Sequence, residues 1–359
     1  MDIVPIKFEN DELYILDQTR LPHEEIFALQ KTVEDVYNSI KTLAVRGAPA
    51  IGIAAAYGLY ISIRDFNGER ENLIEILKKN ARYLKTARPT AVNLAWAVDR
   101  CVQPSANGNL SASEIKQKVL QEAKKIHAED EANCIAMGEN GLKLLKPEMR
   151  ILTHCNAGTI ATAKYGTCLA PIYLGQERGY NFHVFADETR PLMQGARLTT
   201  WELQKAGVDV TLICDNMPAT LMQRGMIDAV VTGCDRMAAN GDGANKIGTL
   251  QVAIMAKEFG IPFYMFVPIS TFDASLKSGK EIPIEERAEE EVYKKWFKEP
   301  IAPMNTKAFN PAFDVTPAKY ITAVVTEKGI IHPPYKEGIK QILEGEPLLP
   351  SIQNRQKVN

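Results

Sequence analysis

Two rhythms of apolar and polar positions divide the chain. Up to about residue 145 apolar residues recur at helical spacing, and after Arg150 they gather into short β-branched runs. The first 40 residues alternate short apolar pairs with charges, as in Ile3-Val4 and Leu13-Tyr14-Ile15-Leu16, and predict a small sheet followed by a helix. Residues 50–63 are almost wholly apolar, which predicts a helix buried on most sides. Further helices are expected at about 70–85, 91–103 and 111–145. The last opens on Ser111 or Ser113 as a cap and sets Ile115, Val119, Ala123 and Ile126 on one face. It is long enough to join two domains, with a break expected near Glu129-Asp130.

The second half reads differently. Strands are expected at 151–154, 182–185, 208–214, 229–232, 263–267 and 320–325, with helical patterns between most of them, such as 192–206 after Pro191 and 247–259. Alternation of this kind implies βαβ units and a parallel sheet with helices on both faces. The expected fold class is therefore α/β. A smaller, mostly helical N-terminal domain with a short sheet, residues 1–127, precedes a Rossmann-like catalytic domain, residues 128–359. The charged run 285–295 reads as a solvated helix face.

Charge and cysteine usage narrow the class. With 42 basic and 44 acidic side chains the net charge is −2, so no general nucleic-acid surface is expected. The six cysteines, at 101, 134, 155, 168, 214 and 234, form no CxxC pair and no zinc-ligand rhythm, which points to a reducing compartment. Met1 leads into a mixed polar stretch without a secretory apolar core. The longest apolar run, 48–63, holds Gly52, Gly58 and two tyrosines and is short for a bilayer. A cytoplasmic, soluble protein with no membrane partner is the expectation.

Three polar sequences end expected strands: His154-Cys155-Asn156-Ala157-Gly158, Asp187-Glu188-Thr189-Arg190 and Gly233-Cys234-Asp235-Arg236. Open α/β sheets build ligand sites at that edge, so three such loops argue for an enzyme. Cys155 alone would be weak, because a free cysteine is commonly a small core residue. A dinucleotide site is not supported: in Gly241-Asp242-Gly243-Ala244-Asn245-Lys246-Ile247-Gly248 the third glycine falls too late, and Ile247 follows Lys246 where a phosphate loop needs Ser or Thr. NAD and ATP are rejected on this ground. That segment reads instead as a polar turn entering a helix, a seat for phosphate to which Lys246 adds charge, or else as an exposed turn with its lysine in water. Arg46-Gly47-Ala48 and Arg88-Pro89-Thr90 are two further turns of this kind, and together the three could surround one phosphate.

No metal is predicted, since the histidines at 23, 127, 154, 183 and 332 lack HxH or HExxH spacing. His154 adjoins Cys155, but neighbouring strand side chains point to opposite faces, so it is not expected to be the base for that thiol. The pair to pursue is Cys155 and Asp235, both at strand ends of one domain. Their reference pKa values are about 8.5 and about 3.9, and burial among apolar walls would raise the carboxyl into a useful range. The alternative for Asp235 is a salt bridge to Arg236 or a cap on the following turn.

At this point the residues resemble the S-methyl-5-thioribose-1-phosphate isomerase family, aldose–ketose isomerases related to regulatory subunits of the initiation-factor exchange complex. The resemblance lies in Arg46-Gly47-Ala48-Pro49-Ala50-Ile51-Gly52, Arg88-Pro89-Thr90-Ala91-Val92-Asn93-Leu94, the His154 to Gly158 run, Ala186 to Pro191, Gln194 to Leu198 and Asp215-Asn216-Met217. It continues in the stretch from Gly233 to Gly248, the most specific, and in Asn310 to Pro317. It runs in one order from about residue 15 to about residue 335. It implies conversion of S-methyl-5-thio-α-D-ribose 1-phosphate to S-methyl-5-thio-D-ribulose 1-phosphate in L-methionine salvage, without a cofactor. It also implies Cys155 and Asp235 as the catalytic pair, and Arg46, Gly47, Ala48, Arg88, Gln194, Asn245 and Lys246 as substrate-binding. A small phosphorylated sugar is the implied partner, and a homodimer the implied assembly. Cys234 departs from the small residue that often precedes the family's aspartate and is expected to be packing. The rivals are an isomerase of 5-deoxyribose 1-phosphate or ribose 1,5-bisphosphate, and a non-catalytic regulatory subunit of the same fold.

Overall fold

The computed structural model describes residues 3–89, 91–303 and 305–348, so that Thr90 of the Arg88-Pro89-Thr90 turn lies outside the described residues. The described chain forms two compact units, one of residues 3–134 with 158–166, the other of residues 135–157 with 167–348.

The first unit opens with an antiparallel sheet of β1 (Ile6–Glu9), β2 (Glu12–Leu16) and β3 (Phe27–Gln30) in that order. Helices α1 (Val33–Lys41), α2 (Ala48–Arg64), α3 (Arg70–Lys85) and α4 (Val92–Val102) follow, then α5 (Ala112–Leu142), which runs on into the second unit. Thirteen of the 17 residues of α2 are buried, which makes it the unit's central helix. Its two glycines let neighbours approach: a Cβ at Gly52 would stand 3.0 Å from the Asn93 carbonyl of α4, and one at Gly58 would stand 2.9 Å from Val36 of α1. Ser111 caps α5 as expected, accepting the Glu114 N–H at 3.3 Å while Glu114 accepts the Ser111 N–H at 2.8 Å. The break expected near Glu129-Asp130 is absent. Glu129 accepts from Arg100 at 2.6 Å and Asp130 accepts the Ala163 N–H at 2.6 Å, so both acids are held without interrupting the helix.

The second unit is built on β4 (Arg150–Thr153), β5 (His183–Asp187), β6 (Asp209–Ile213), β7 (Ala229–Thr232), β10 (Phe263–Phe266), β13 (Ala323–Thr326) and β14 (Gly329–Ile331). They form one sheet in the order β14-β13-β10-β7-β4-β5-β6, parallel except for β14. Strands β7, β10 and β13 are buried at every position, as unbroken apolar runs require. Helices α6 (Ala170–Glu177), α7 (Thr200–Lys205), α8 (Pro218–Gln223) and α9 (Thr249–Glu258) lie between successive strands. The chain adds β5 and β6 on one side of β4, then returns to place β7, β10 and β13 on the other. Right-handed crossovers in opposite directions put the helices on opposite faces. The architecture is the α/β, Rossmann-like one expected. Among the described residues no helix is long and apolar enough to cross a membrane.

A second, four-stranded sheet was not foreseen: β8 (Arg236–Ala238), β9 (Gly243–Lys246), β11 (Phe272–Asp273) and β12 (Phe313–Thr316), in the order β11-β8-β9-β12. Residues 243–246, read from sequence as part of a turn, are thus a fully buried strand paired with β12 and β8. Its strands have two to four residues each and show no alternation to read. The charged run 285–295 is only briefly helical, at α10 (Glu290–Tyr293), and Glu291 is 7% exposed and bonded to Arg287 and Asn310. That carboxylate is a buried anchor and not part of a solvated face. The last helix among the described residues is α11 (Tyr335–Leu343).

Candidate active site

In an open α/β sheet the ligand crevice lies at the carboxyl edge where the strand order reverses. Here that point falls between β4 and β7. Cys155 stands two residues past the end of β4, and Asp235 three residues past the end of β7. The two loops meet closely: a Cβ at Gly233 would stand 2.7 Å from that of Ala157 and 4.0 Å from Asn245 Oδ1. Asp235 donates its backbone N–H to the Ala244 carbonyl at 2.8 Å, which sets it beside Asn245 and Lys246 at the end of β9. Gln194 follows β5, the other neighbour of β4. The fold therefore gathers Cys155, Asp235, Gln194, Asn245 and Lys246 around loops from adjacent elements of one unit.

Cys155 has φ 69°, a left-handed conformation that costs a residue with a Cβ about 1–2 kcal/mol. Two buried threonines hold it there. Its N–H donates to Thr189 Oγ1 at 2.8 Å, and its carbonyl accepts from Thr199 Oγ1 at 2.6 Å. Thr189, itself at φ 63°, is fixed in turn by Asp215, whose two oxygens accept the N–H groups of Thr189 and Arg190 at 2.8 and 2.7 Å. Asn156 Nδ2 donates to Thr199 Oγ1 at 3.1 Å and to the buried Glu202. Cys155 is half-buried, whereas Cys168 is fully buried and its thiol is pushed up to about 12 by that burial. Burial likewise raises the Cys234 thiol well above its ordinary range, and that thiol lies 3.5 Å from the Ala244 carbonyl, as a packing residue.

Asp235 is exposed, which corrects the expectation of a carboxyl walled in by apolar groups. It lies on the turn that carries the chain off the sheet edge before β8, where the sheet itself offers no cover.

The N-terminus of α9 also differs from expectation. Asp314 already occupies it, accepting the N–H groups of Gly248 and Leu250 at 2.8 and 3.1 Å. A protein carboxylate therefore sits where the sequence reading placed a phosphate. Lys246 is not in water either. It is 7% exposed, donates to the Ala312 carbonyl at 2.6 Å and lies 4.6 Å from the centre of the Phe313 ring. Asn245 donates through Nδ2 to Thr249 Oγ1 at 3.0 Å. Gln194 is 5% exposed, and its Oε1 has no hydrogen-bond partner among the described residues, a buried acceptor available to a ligand hydroxyl.

His154 turns away from this crevice. Its Nε2 lies 2.8 Å from the Ile247 carbonyl and its Nδ1 2.9 Å from Asp187 Oδ2. The carbonyl can only accept, so Nε2 carries a hydrogen. Burial opposes charge on His154, but the bond to Asp187 and the charges of Asp187 and Asp215 outweigh it and raise its pKa. Burial raises the Asp187 carboxyl to about 6. Ligand atoms of His154, Asp187 and Asp215 lie within 4.8 Å of one another. Both oxygens of Asp215 accept backbone N–H groups and both ring nitrogens of His154 are engaged by Ile247 and Asp187, while Asp187 Oδ1 has no hydrogen-bond partner among the described residues. The cluster is built as a brace, and its geometry does not favour a cation.

The remaining predicted residues belong to the other unit. Arg46 is half-buried and precedes Gly47, which at φ 95° begins α2 without a side-chain cap and leaves Ala48 in its uncovered first turn. A Cβ at Gly47 would stand 2.5 Å from the Ala161 carbonyl, so only glycine fits. Arg88, also half-buried, lies in the turn between α3 and α4. Asn93 at the start of α4 lies against Gly52 near the start of α2, so both arginine turns stand at one end of that helix pair. Sequence reasoning missed Thr189, Thr199, Asp215, Asp314 and the His154–Asp187 pair. Asp187 and Thr189 lie inside a polar run singled out from sequence, and Asp215 and Asp314 inside segments that carry the family resemblance, but nothing in those segments distinguishes support from contact.

Residues 44–333 match the Initiation factor 2 subunit family. The chain is 55% identical over 346 residues to 5-deoxyribose 1-phosphate isomerase of Moorella thermoacetica, covering 96% of this chain and 98% of that protein. It is 54% identical over 334 residues to methylthioribose-1-phosphate isomerase of Symbiobacterium thermophilum, covering 92% of each. Among solved structures, 5-methylthioribose 1-phosphate isomerase from Pyrococcus horikoshii OT3 superposes with a TM-score of 0.91 at 43% identity, covering 96% of each chain.

Proposed function

The chain belongs to the Initiation factor 2 subunit family, and from that premise we propose that it is a sugar-phosphate isomerase converting S-methyl-5-thioribose 1-phosphate to S-methyl-5-thioribulose 1-phosphate, as in methionine salvage. The observation that carries the proposal is that Cys155 and Asp235 follow the adjacent strands β4 and β7, at the point where the strand order reverses. A strained cysteine held by two threonines is more than packing requires.

With phosphate on the anomeric oxygen the ring cannot open to a free aldehyde; protonation of the ring oxygen lets its bond to C1 break and leaves a phosphorylated oxocarbenium ion at C1. In this reading Asp235, protonated, donates to that oxygen and later serves the nascent hydroxyl. Cys155, as thiolate, takes the proton from C2 to give an enolate-like intermediate. Because Asp235 is exposed, the bound sugar and not the fold supplies the desolvation that keeps its carboxyl protonated. Gln194, Asn245 and Lys246 hold the sugar and phosphate in the second unit. The working form in this reading is a homodimer, which sedimentation at micromolar concentration checks.

A second substrate has direct support, because the Moorella relative is named for 5-deoxyribose 1-phosphate. The two sugars share every reacting atom and differ only at C5. Purified protein given each sugar 1-phosphate and followed by NMR decides between them. Preference for the methylthio sugar supports salvage, and equal or better use of the deoxy sugar moves the role to deoxysugar disposal with the same chemistry. Turnover of neither would favour a non-catalytic subunit. Deuterium placed at C2 tests the mechanism: washout to solvent supports the enolate, and complete intramolecular retention would replace it with a hydride shift.

A further inference from the structure

The polar groups that the isomerase reading uses in the second unit hang from separate turns, and one buried side chain ties those turns together. His154 is 1% exposed and immediately precedes Cys155. Through Nδ1 it meets Asp187 at the end of β5, and through Nε2 it donates to Ile247, the residue after Lys246. Gly248 packs against the ring, where at φ 102° a Cβ would stand 2.7 Å from Cε1. From the other side Asp314 on β12 holds the N–H groups of Gly248 and Leu250. The segment from Asn245 to Gly248 is thus gripped by His154 from β4 and by Asp314 from β12.

We propose that His154 is a positioning residue for the isomerisation: without touching substrate, its bond to Ile247 sets where Asn245 and Lys246 stand relative to Cys155. The proposal rests on the reading above, in which Asn245 and Lys246 hold the sugar phosphate. Both ring nitrogens are already engaged by the protein, which excludes a direct role as proton carrier at the substrate. The Ile247 bond is the one that matters for reaction, and the Asp187 bond chiefly serves stability.

The two bonds can be separated. Asparagine at this position offers an amide near Nδ1 and keeps a partner for Asp187, but does not reach Ile247. Glutamine reaches the place of Nε2 and the Ile247 carbonyl, but leaves the carboxylate of the fully buried Asp187 without its partner. A bare buried carboxylate costs more than one lost neutral hydrogen bond. His154→Asn should therefore be the more stable variant and His154→Gln the more active one. A histidine with a merely structural role would make activity follow stability.

The test is thermal melting and steady-state kinetics of the full chain with methylthioribose 1-phosphate, and with 5-deoxyribose 1-phosphate alongside. Hydrogen exchange is measured in parallel on peptides covering residues 243–250. His154→Asn is expected to lose about 10–100-fold in kcat/KM, with a raised KM and faster exchange at 245–248. His154→Gln should lose several-fold less despite a lower Tm. Should His154→Gln fold poorly, His154→Gln combined with Asp187→Asn removes the bare carboxylate and must show the same kinetic rescue. Full kcat/KM in His154→Asn, or activity that ranks with Tm across the set, would overturn the proposal. Wild-type protein that turns over neither sugar would remove the isomerase reading and this role with it, a result the ranking of variants cannot imitate.

Discussion

Replacing Cys155 by glycine and, separately, by alanine separates the strain at this residue from its chemistry. At φ 69° Cys155 occupies a region that costs a residue with a Cβ about 1–2 kcal/mol. Cys155→Ala keeps that cost, and Cys155→Gly removes it. Glycine loses about 0.4–1 kcal/mol through the wider freedom of its unfolded chain. The difference leaves Cys155→Gly more stable than Cys155→Ala by about 0.5–1 kcal/mol. At an ordinary position in a helix or strand the order would be reversed by a similar amount. The bonds from Thr189 and Thr199 are to backbone atoms, so both variants retain them and the comparison isolates φ. Urea titration with a shared m-value measures the difference. In turnover the two should be alike, each reduced about 10²–10⁴-fold if the thiol is the base. Alanine as stable as glycine would refute the strain argument, and near-normal turnover in either would refute the role of the thiol.

Three further outcomes follow from the surrounding contacts. Gly195→Ala would put a methyl 1.6 Å from the Asp187 carbonyl, where no side chain can move aside, so a loss of at least about 3 kcal/mol or a failure to fold is expected in melting experiments. Asp314→Ala removes the acceptor of two N–H groups at the start of α9 and should cost about 1–2 kcal/mol, with Asp314→Asn recovering part of it; an unchanged Tm would show the helix end satisfied by water. The His154–Asp187 pair makes stability depend on pH. Both groups bind their proton more tightly when folded, His154 because its acidic neighbours outweigh its burial and Asp187, at about 6, because of burial. A raised folded pKa gives stability that is full in acid and lost as pH rises through the folded value. Wild-type Tm should therefore fall from about pH 4 to about pH 6 through Asp187 and further above about pH 6.5 through His154. In Asp187→Asn the main cause of the raised histidine value is gone and the slope above about pH 6.5 should flatten or invert, so identical slopes in the two proteins would count against the coupling of His154 to Asp187.

Local physics wrote much of this protein legibly. A strand buried on both faces reads as a near-continuous apolar run, so β7, β10 and β13 could be placed within a few residues. Helix α2 was legible for the same reason, and Ser111 or Ser113 as a cap marked the start of α5, which the structure assigns to Ser111. Polar residues immediately after such runs singled out Cys155 and Asp235, because the ligand crevice of an open α/β sheet lies at that edge. Pairing decided the rest. Nothing local says that β4 lies between β7 and β5, yet that order creates the crevice. The partners of His154 lie 33 and 93 residues away, and the carboxylate that caps α9 lies 66 residues from Gly248. The short strands of the second sheet are specified by burial against one another and not by any period of their own. Sequence by itself singled out the candidate residues and the sheet edge at which they emerge. Only the tertiary structure decided which of them meet, because hydrogen bonds and close backbone contacts select partners by position in space, however far apart they stand along the chain.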